Sequence, residues 1–165
     1  MKTFKEFLNE SSLSRIKSKS DKGGMAVISG SRGDKSKKEN KARAKQLDRD
    51  IKGKGLPGAT KVSGRWDETD DKTGKTSKVK ERSHVVTSGK KSKRKFKKEV
   101  EKLGRKYDQD SVLIQRKKGG GATLKGTNKS DYPGYRKNEK TGKMKPGRTG
   151  EFDTKIKKKT FTYEK

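Results

Sequence analysis

Ser92-Lys-Arg-Lys-Phe96-Lys-Lys-Glu-Val100-Glu-Lys-Leu103-Gly-Arg-Lys-Tyr107, followed shortly by Ser111-Val-Leu-Ile-Gln115, is the stretch on which the fold of this chain turns. Phe96, Val100, Leu103 and Tyr107 recur at i, i+4, i+7 and i+11, one apolar stripe on an otherwise cationic helix, and Ser92 suits its N-cap. Such a stripe has to lie on a sheet, and the apolar run at 111–115 supplies a strand for it. Working upstream, Ser83 to Thr87 is β-branched enough for a strand, Thr60 to Trp66 reads as another, and Met25-Ala-Val-Ile-Ser29 between Gly24 and Gly30 as a third. A first helix fits between 29 and 60, capped by Asp34 or Ser36, carrying Ala44, Leu47 and Ile51, and stopped at Gly53 and Gly55. The order strand, helix, strand, strand, helix, strand defines an α+β fold, a small split βαβ domain over 25–115. Asp67 to Lys80, polar and aperiodic, reads as a mobile loop.

Outside that domain the pattern thins. Residues 11–24 read as a Ser/Lys/Gly linker, and 116–165 as a basic, loop-rich and partly disordered extension opened by Gly119-Gly120-Gly121. Strands at 122–125 and 159–163 fit within it. The echo of Lys72 to Lys75 in Lys140 to Lys143 is turn chemistry rather than a repeat.

Composition narrows the function. The 165 residues hold 49 Lys+Arg against 21 Asp+Glu, a net charge of +28, and only 22% are hydrophobic. A large core is excluded, and no apolar run is long enough to span a bilayer as a helix. With no Cys and a single His, His84, disulfides, thiolate zinc sites and a Cys nucleophile are excluded. A charge far above the magnitude of about 2–8 that keeps a small domain soluble points to polyanion partners, DNA first and RNA second. Tyr132-Pro133-Gly134-Tyr135-Arg136 interleaves rings with a cation in a loop, the composition that stacks on bases. Arg65 with Trp66, the helix cations Lys93, Arg94 and Lys97, and Lys157 with Lys158 complete the expected interface, although Trp66 fits a core position better.

Signals for catalysis are sparse. Gly74-Lys75-Thr76 lacks the rest of a phosphate-binding loop. Asp67, Glu68, Asp70 and Asp71 could hold a divalent cation but lie among lysines, where charge balance explains them. Glu81 and Ser83 would share one strand face while His84 takes the other, so they form no local nucleophile–base pair. Asn40 and Arg43, one helical turn apart, could line a polar cleft with Glu81, Ser83 and Gln109. Alternatively, Arg43 and Glu81 form a structural ion pair. The residues thus predict no catalytic group, no metal, no cofactor and no enzyme. A nuclease using Glu81, His84, Asp67 and Asp70 is the weaker alternative.

Two resemblances add to this. Met1-Lys-Thr-Phe4-Lys-Glu-Phe7-Leu8-Asn9-Glu10 has an amphipathic opening and closes on Leu8-Asn9-Glu10, and it resembles the capsid-targeting propeptides of internal head proteins of large contractile-tailed phages. That resemblance implies cleavage after Glu10 by a prohead protease and packaging with the genome. It places the protein inside the capsid, with passage through the host cytoplasm before assembly or after ejection, and no membrane partner. An ejected effector that inhibits a host defence or transcription protein is the alternative. Residues 27–115 are similar to a family of uncharacterised small bacterial and phage domains, through Asn40, Arg43 and Leu47 on a helix, a later Gly64, Glu81 and Ser83 opening a strand, and Gly104, Tyr107 and Gln109 close to the last strand. The likeness implies the fold and no activity.

Overall fold

The computed structural model describes residues 23–57, 60–70, 72–116, 121–129, 133–146, 152–156 and 159–164. The expected propeptide 1–10, with Leu8, Asn9 and Glu10, and linker residues 11–22 lie outside the described residues, as do Tyr132, Lys157 and Lys158.

The chain is α+β. Strand β1 (Met25–Ser29) leads to helix α1 (Lys37–Gly53), then β2 (Thr60–Thr69), β3 (Thr76–Thr87), α2 (Lys93–Lys106) and β4 (Ser111–Gln115). In the sheet β1 and β2 both run antiparallel to β3, which lies between them, and β4 pairs antiparallel with the other edge of β1. This is the split βαβ arrangement. Four further strands, β5 (Ala122–Gly126), β6 (Asn138–Pro146), β7 (Phe152–Ile156) and β8 (Lys159–Glu164), continue from β4 and close on β2. The closed order is β1-β3-β2-β7-β8-β6-β5-β4, which removes the sheet edges.

Local chemistry explains both helices. Ser36 accepts from the Glu39 N–H at 3.1 Å while the Glu39 carboxylate accepts from the Ser36 N–H at 2.8 Å, so Ser36, not Asp34, is the cap of α1. Gly55, at φ +70°, ends that helix in a conformation a side chain would strain. Ser92 accepts from the Lys95 N–H at 3.3 Å and starts α2. Phe96, Val100, Leu103 and Tyr107 then meet Ala26, Ile28, Val86, Val112, Ile114 and, from α1, Leu47 and Ile51 in a layer between helices and sheet. Gly104 marks the closest approach of α2: a Cβ there would stand 2.8 Å from Val112 Cγ1. A second, smaller cluster inside the barrel joins Met25, Val62, Val85, Leu113, Ala122 and Tyr163.

The structure departs from the sequence reading at 67–80. Strand β2 continues to Thr69 and β3 starts at Thr76, so most of the expected loop is a hairpin arm. Asp67 meets Lys78 at 2.8 Å, Thr69 Oγ1 and Thr76 Oγ1 lie 3.0 Å apart, and Asp70 Oδ1 accepts from the Lys72 N–H in the turn. These cross-strand pairs hold a ribbon that has no apolar pattern to announce it. In the same way β6 and β7 occupy part of the expected excursion, with Thr141 buried and its hydroxyl donating to the Ala122 carbonyl at 3.0 Å.

Candidate active site

Along β3 the residues 81, 83, 85 and 87 face the barrel interior, and 82, 84 and 86 face outward, by the alternation of a strand. Val85 belongs to the interior cluster and Val86 to the helix-side layer, which fixes the sense. Glu81 and Ser83 therefore look into one end of the barrel. The register sets Ser29 of β1 opposite Ser83 and Gly64 of β2 opposite Glu81. A Cβ on Gly64 would reach 3.2 Å from Ser83 Oγ and 3.7 Å from Glu81 Cγ, so the glycine leaves the space before the carboxyl open.

Burial pushes the Glu81 carboxyl up to about 7, against the opposing pull of the Ser29 and Ser83 hydroxyls. Ser83 Oγ stands 3.5 Å from Glu81 Oε1, and the Ser29 hydroxyl also lies 2.9 Å from the Arg82 carbonyl. No lysine or arginine of the described residues forms an ion pair with Glu81. Half-buried and without a cationic partner among the described residues, this carboxyl suits a cationic ligand.

The expected cleft residues fall into two layers at this end. Glu81 and Ser83 are inside; Asn40, Arg43 and Gln109 are outside, gripping the loop that leaves β1. Arg43 does not pair with Glu81. Its Nε donates to the Gly30 carbonyl at 2.6 Å and a terminal nitrogen to the Tyr107 carbonyl at 2.5 Å, with the guanidinium 5.5 Å from the Tyr107 ring centre. The Tyr107 hydroxyl donates to Asp50 at 2.6 Å, which Lys106 also meets at 2.8 Å. Ser29 and Gly64 complete the site. Ser29 was legible only as the third inward position of β1, after Met25 and Val27.

His84, on the outward face, is buried at 1% exposure with neither ring nitrogen hydrogen-bonded, and burial lowers its pKa. Ser83 and His84 are thus back to back across the sheet. Asp67 and Asp70 serve the hairpin, and among the described residues no group of acidic or histidine side chains is arranged to hold a metal. The expected nucleic-acid residues are dispersed: Arg65 and Trp66 on β2, Lys93, Arg94 and Lys97 on α2, Tyr135 and Arg136 in the turn before β6. Tyr135 is exposed, with the Arg136 guanidinium 5.2 Å from its ring centre.

Comparison with known proteins decides the class. The model of the S-adenosylmethionine lyase family matches residues 26–165, and the chain belongs to that family, a family of enzymes. No curated protein matches. Among solved structures, a phage SAM lyase in complex with S-methyl-5'-thioadenosine is 21% identical and covers 72% of this chain and 86% of that one. Its TM-score is 0.37, too low to bear on the fold or the site.

Family membership overturns the internal head protein reading, and with it the DNA, RNA and prohead protease partners, the host effector alternative and the expectation of a non-enzyme. The reasons are physical. Net charge describes the field around a protein, not the reaction in its site. The targeting resemblance rested on ten residues ahead of the matched region. Nucleophiles, metals and acid–base pairs mark only some classes of reaction, so a sequence that shows none of them can still encode an enzyme.

Proposed function

We propose that the protein cleaves S-adenosylmethionine at the Glu81 end of the barrel. Family membership supports the substrate, and the observation that carries the site is the half-buried Glu81 carboxyl, which has no cationic partner among the described residues. The substrate bears a sulfonium and an ammonium, and a body of net charge +28 repels it at long range. A carboxylate about 4 Å from one of these cations returns roughly 4 kcal/mol at an effective dielectric of 20. Ser83 stands beside the carboxyl, Ser29 lies opposite Ser83 on the same face of the sheet, and Gly64 leaves room for the ligand.

The chemistry is internal to the substrate. Its α-carboxylate oxygen attacks its own Cγ, a C–O bond closes a five-membered ring, and the Cγ–S bond breaks with its electron pair passing to sulfur. The sulfonium leaves as the neutral thioether S-methyl-5'-thioadenosine, and the remainder is homoserine lactone. Nothing is oxidised, and no proton or water is consumed. Holding the substrate folded for ring closure is the main demand on the protein. Chromatography of S-adenosylmethionine incubated with the purified protein tests this: equimolar thioether and lactone are expected, and unchanged substrate overturns it.

A further inference from the structure

Gly64 is a residue that the fold does not require. Glycine gives up more freedom on entering a strand than any other residue, so inside a ladder it weakens the sheet unless an unusual backbone angle, a bulge or a close approach calls for it. None of the three applies here. The φ of Gly64 lies outside the left-handed region that Gly55 and Gly74 occupy. The register of β2 runs unshifted against β3 from Thr60↔Val85 to Thr69↔Thr76, and against β7 from Ser63↔Lys155 to Trp66↔Phe152, so no bulge is present. A Cβ on Gly24 would stand 2.6 Å from the Gln115 carbonyl oxygen. On Gly64, the atoms of described residues within 4 Å would be Ser83 Oγ at 3.2 Å and Glu81 Cγ at 3.7 Å, both on side chains. A turn of the Ser83 hydroxyl would admit alanine.

What the glycine leaves is a space the size of one methyl group, facing the barrel interior straight across the ladder from Glu81. The β1 ladder ends at Ser29↔Ser83, two residues short of Glu81, so β1 does not close this corner. A sulfonium differs from the thioether it derives from by one methyl group and one positive charge. The corner has a place for each: the vacancy for the methyl, the half-buried Glu81 carboxyl for the charge. The positive sulfur polarises the methyl C–H bonds, and Ser83 Oγ lies beside the vacancy to accept one of them. We propose that Gly64 is a specificity-determining residue: its missing side chain seats the sulfonium methyl, so the site takes the sulfonium in preference to the demethylated thioether. This rests on the lyase reading and adds to it the feature by which the substrate is recognised.

The test is calorimetric binding of two ligands that are not cleaved. S-adenosylhomocysteine lacks both the methyl and the sulfonium charge; sinefungin carries a carbon with an ammonium group in place of the methylated sulfur. Gly64→Ala is expected to weaken sinefungin at least about tenfold and S-adenosylhomocysteine less than about threefold. Its urea midpoint should equal or exceed that of the wild type, which a structural glycine would not allow. Ser83→Ala removes the hydroxyl that the new methyl crowds, and in that background Gly64→Ala should have the same selective effect. A lowered urea midpoint overturns the proposal, because the fold would then need the glycine. So do equal losses for the two ligands, which would put the shared ammonium in the vacancy, and so does a wild type that fails to bind sinefungin. Intact S-adenosylmethionine after incubation with the wild type would end the lyase reading, whereas cleavage together with an unselective Gly64→Ala ends this inference alone.

Discussion

Two titratable side chains, Glu81 half-buried and His84 buried, stand three positions apart on β3 and face opposite ways. Glu81 looks into the barrel beside two serines and an open glycine position; His84 looks into the apolar layer under α1 with no partner for either nitrogen. Both are raised in energy by burial. Only one has polar company and space in front of it, and that difference separates a site from a cost of packing. The same contrast holds for the two faces of the sheet. The helix side is close-packed and apolar, whereas the interior carries Glu81, Ser83, Ser29 and, at the other end, the Tyr163 hydroxyl donating to Gln115 Oε1 at 3.1 Å.

The comparison can be broken from either side. Phe96→Ala empties the centre of the helix layer and is expected to lower unfolding free energy by about 3–5 kcal/mol in a urea titration. A loss under about 1 kcal/mol would mean that this layer is not the main core. Glu81→Gln should leave the fold intact by circular dichroism while reducing kcat/KM for S-adenosylmethionine by at least about 100-fold.

The two groups also give opposite pH signatures. Glu81, ordinarily near 4.5, titrates at about 7 in the folded chain, so the folded state binds the extra proton between those values and stability falls as pH rises through that window. His84 is depressed from 6.5, so the unfolded state takes its proton first and stability is lost as pH falls below 6.5. In urea midpoints of the wild type the two effects therefore oppose each other between pH 5 and 6.5. Glu81→Gln should uncover a rise with pH, and an unchanged profile in that variant would contradict the assignment. His84→Leu should uncover the fall and, by removing two unsatisfied nitrogens, add about 1 kcal/mol. Smallest of all, Lys78→Ala in the exposed arm should cost less than about 0.5 kcal/mol in the same assay.

How much of this was legible follows from where each signal resides. The helices and β1, β3 and β4 announce themselves because Leu47, Ile51, Phe96, Val100 and Ile114 recur at the period of their element within a short window. The hairpin arm, β6 and β7 do not, because Asp67, Lys78 and the lysines of β6 give no alternation; the arm pairs locally, whereas β7 pairs with β2, and β1 with β3 and β4, across long stretches of chain. Barrel closure is a property of those distant pairings. Ser83, Asn40 and Arg43 stood out as polar residues on predicted elements, with Glu81 and Gln109 beside them. What strand pattern could not supply was the register that brings Ser29 and Gly64 to the carboxyl, or the course of the loop after β1 that separates the five into an inner pair and an outer clamp. The enzyme itself left no nucleophile or metal signature to find.

The most direct measurement is a time course of S-adenosylmethionine with wild type and Glu81→Gln side by side at pH 8, thioether and lactone quantified together. The account predicts matched release of both by the wild type and almost none by the variant. Cleavage by the variant at the wild-type rate, or intact substrate in both tubes, would contradict it.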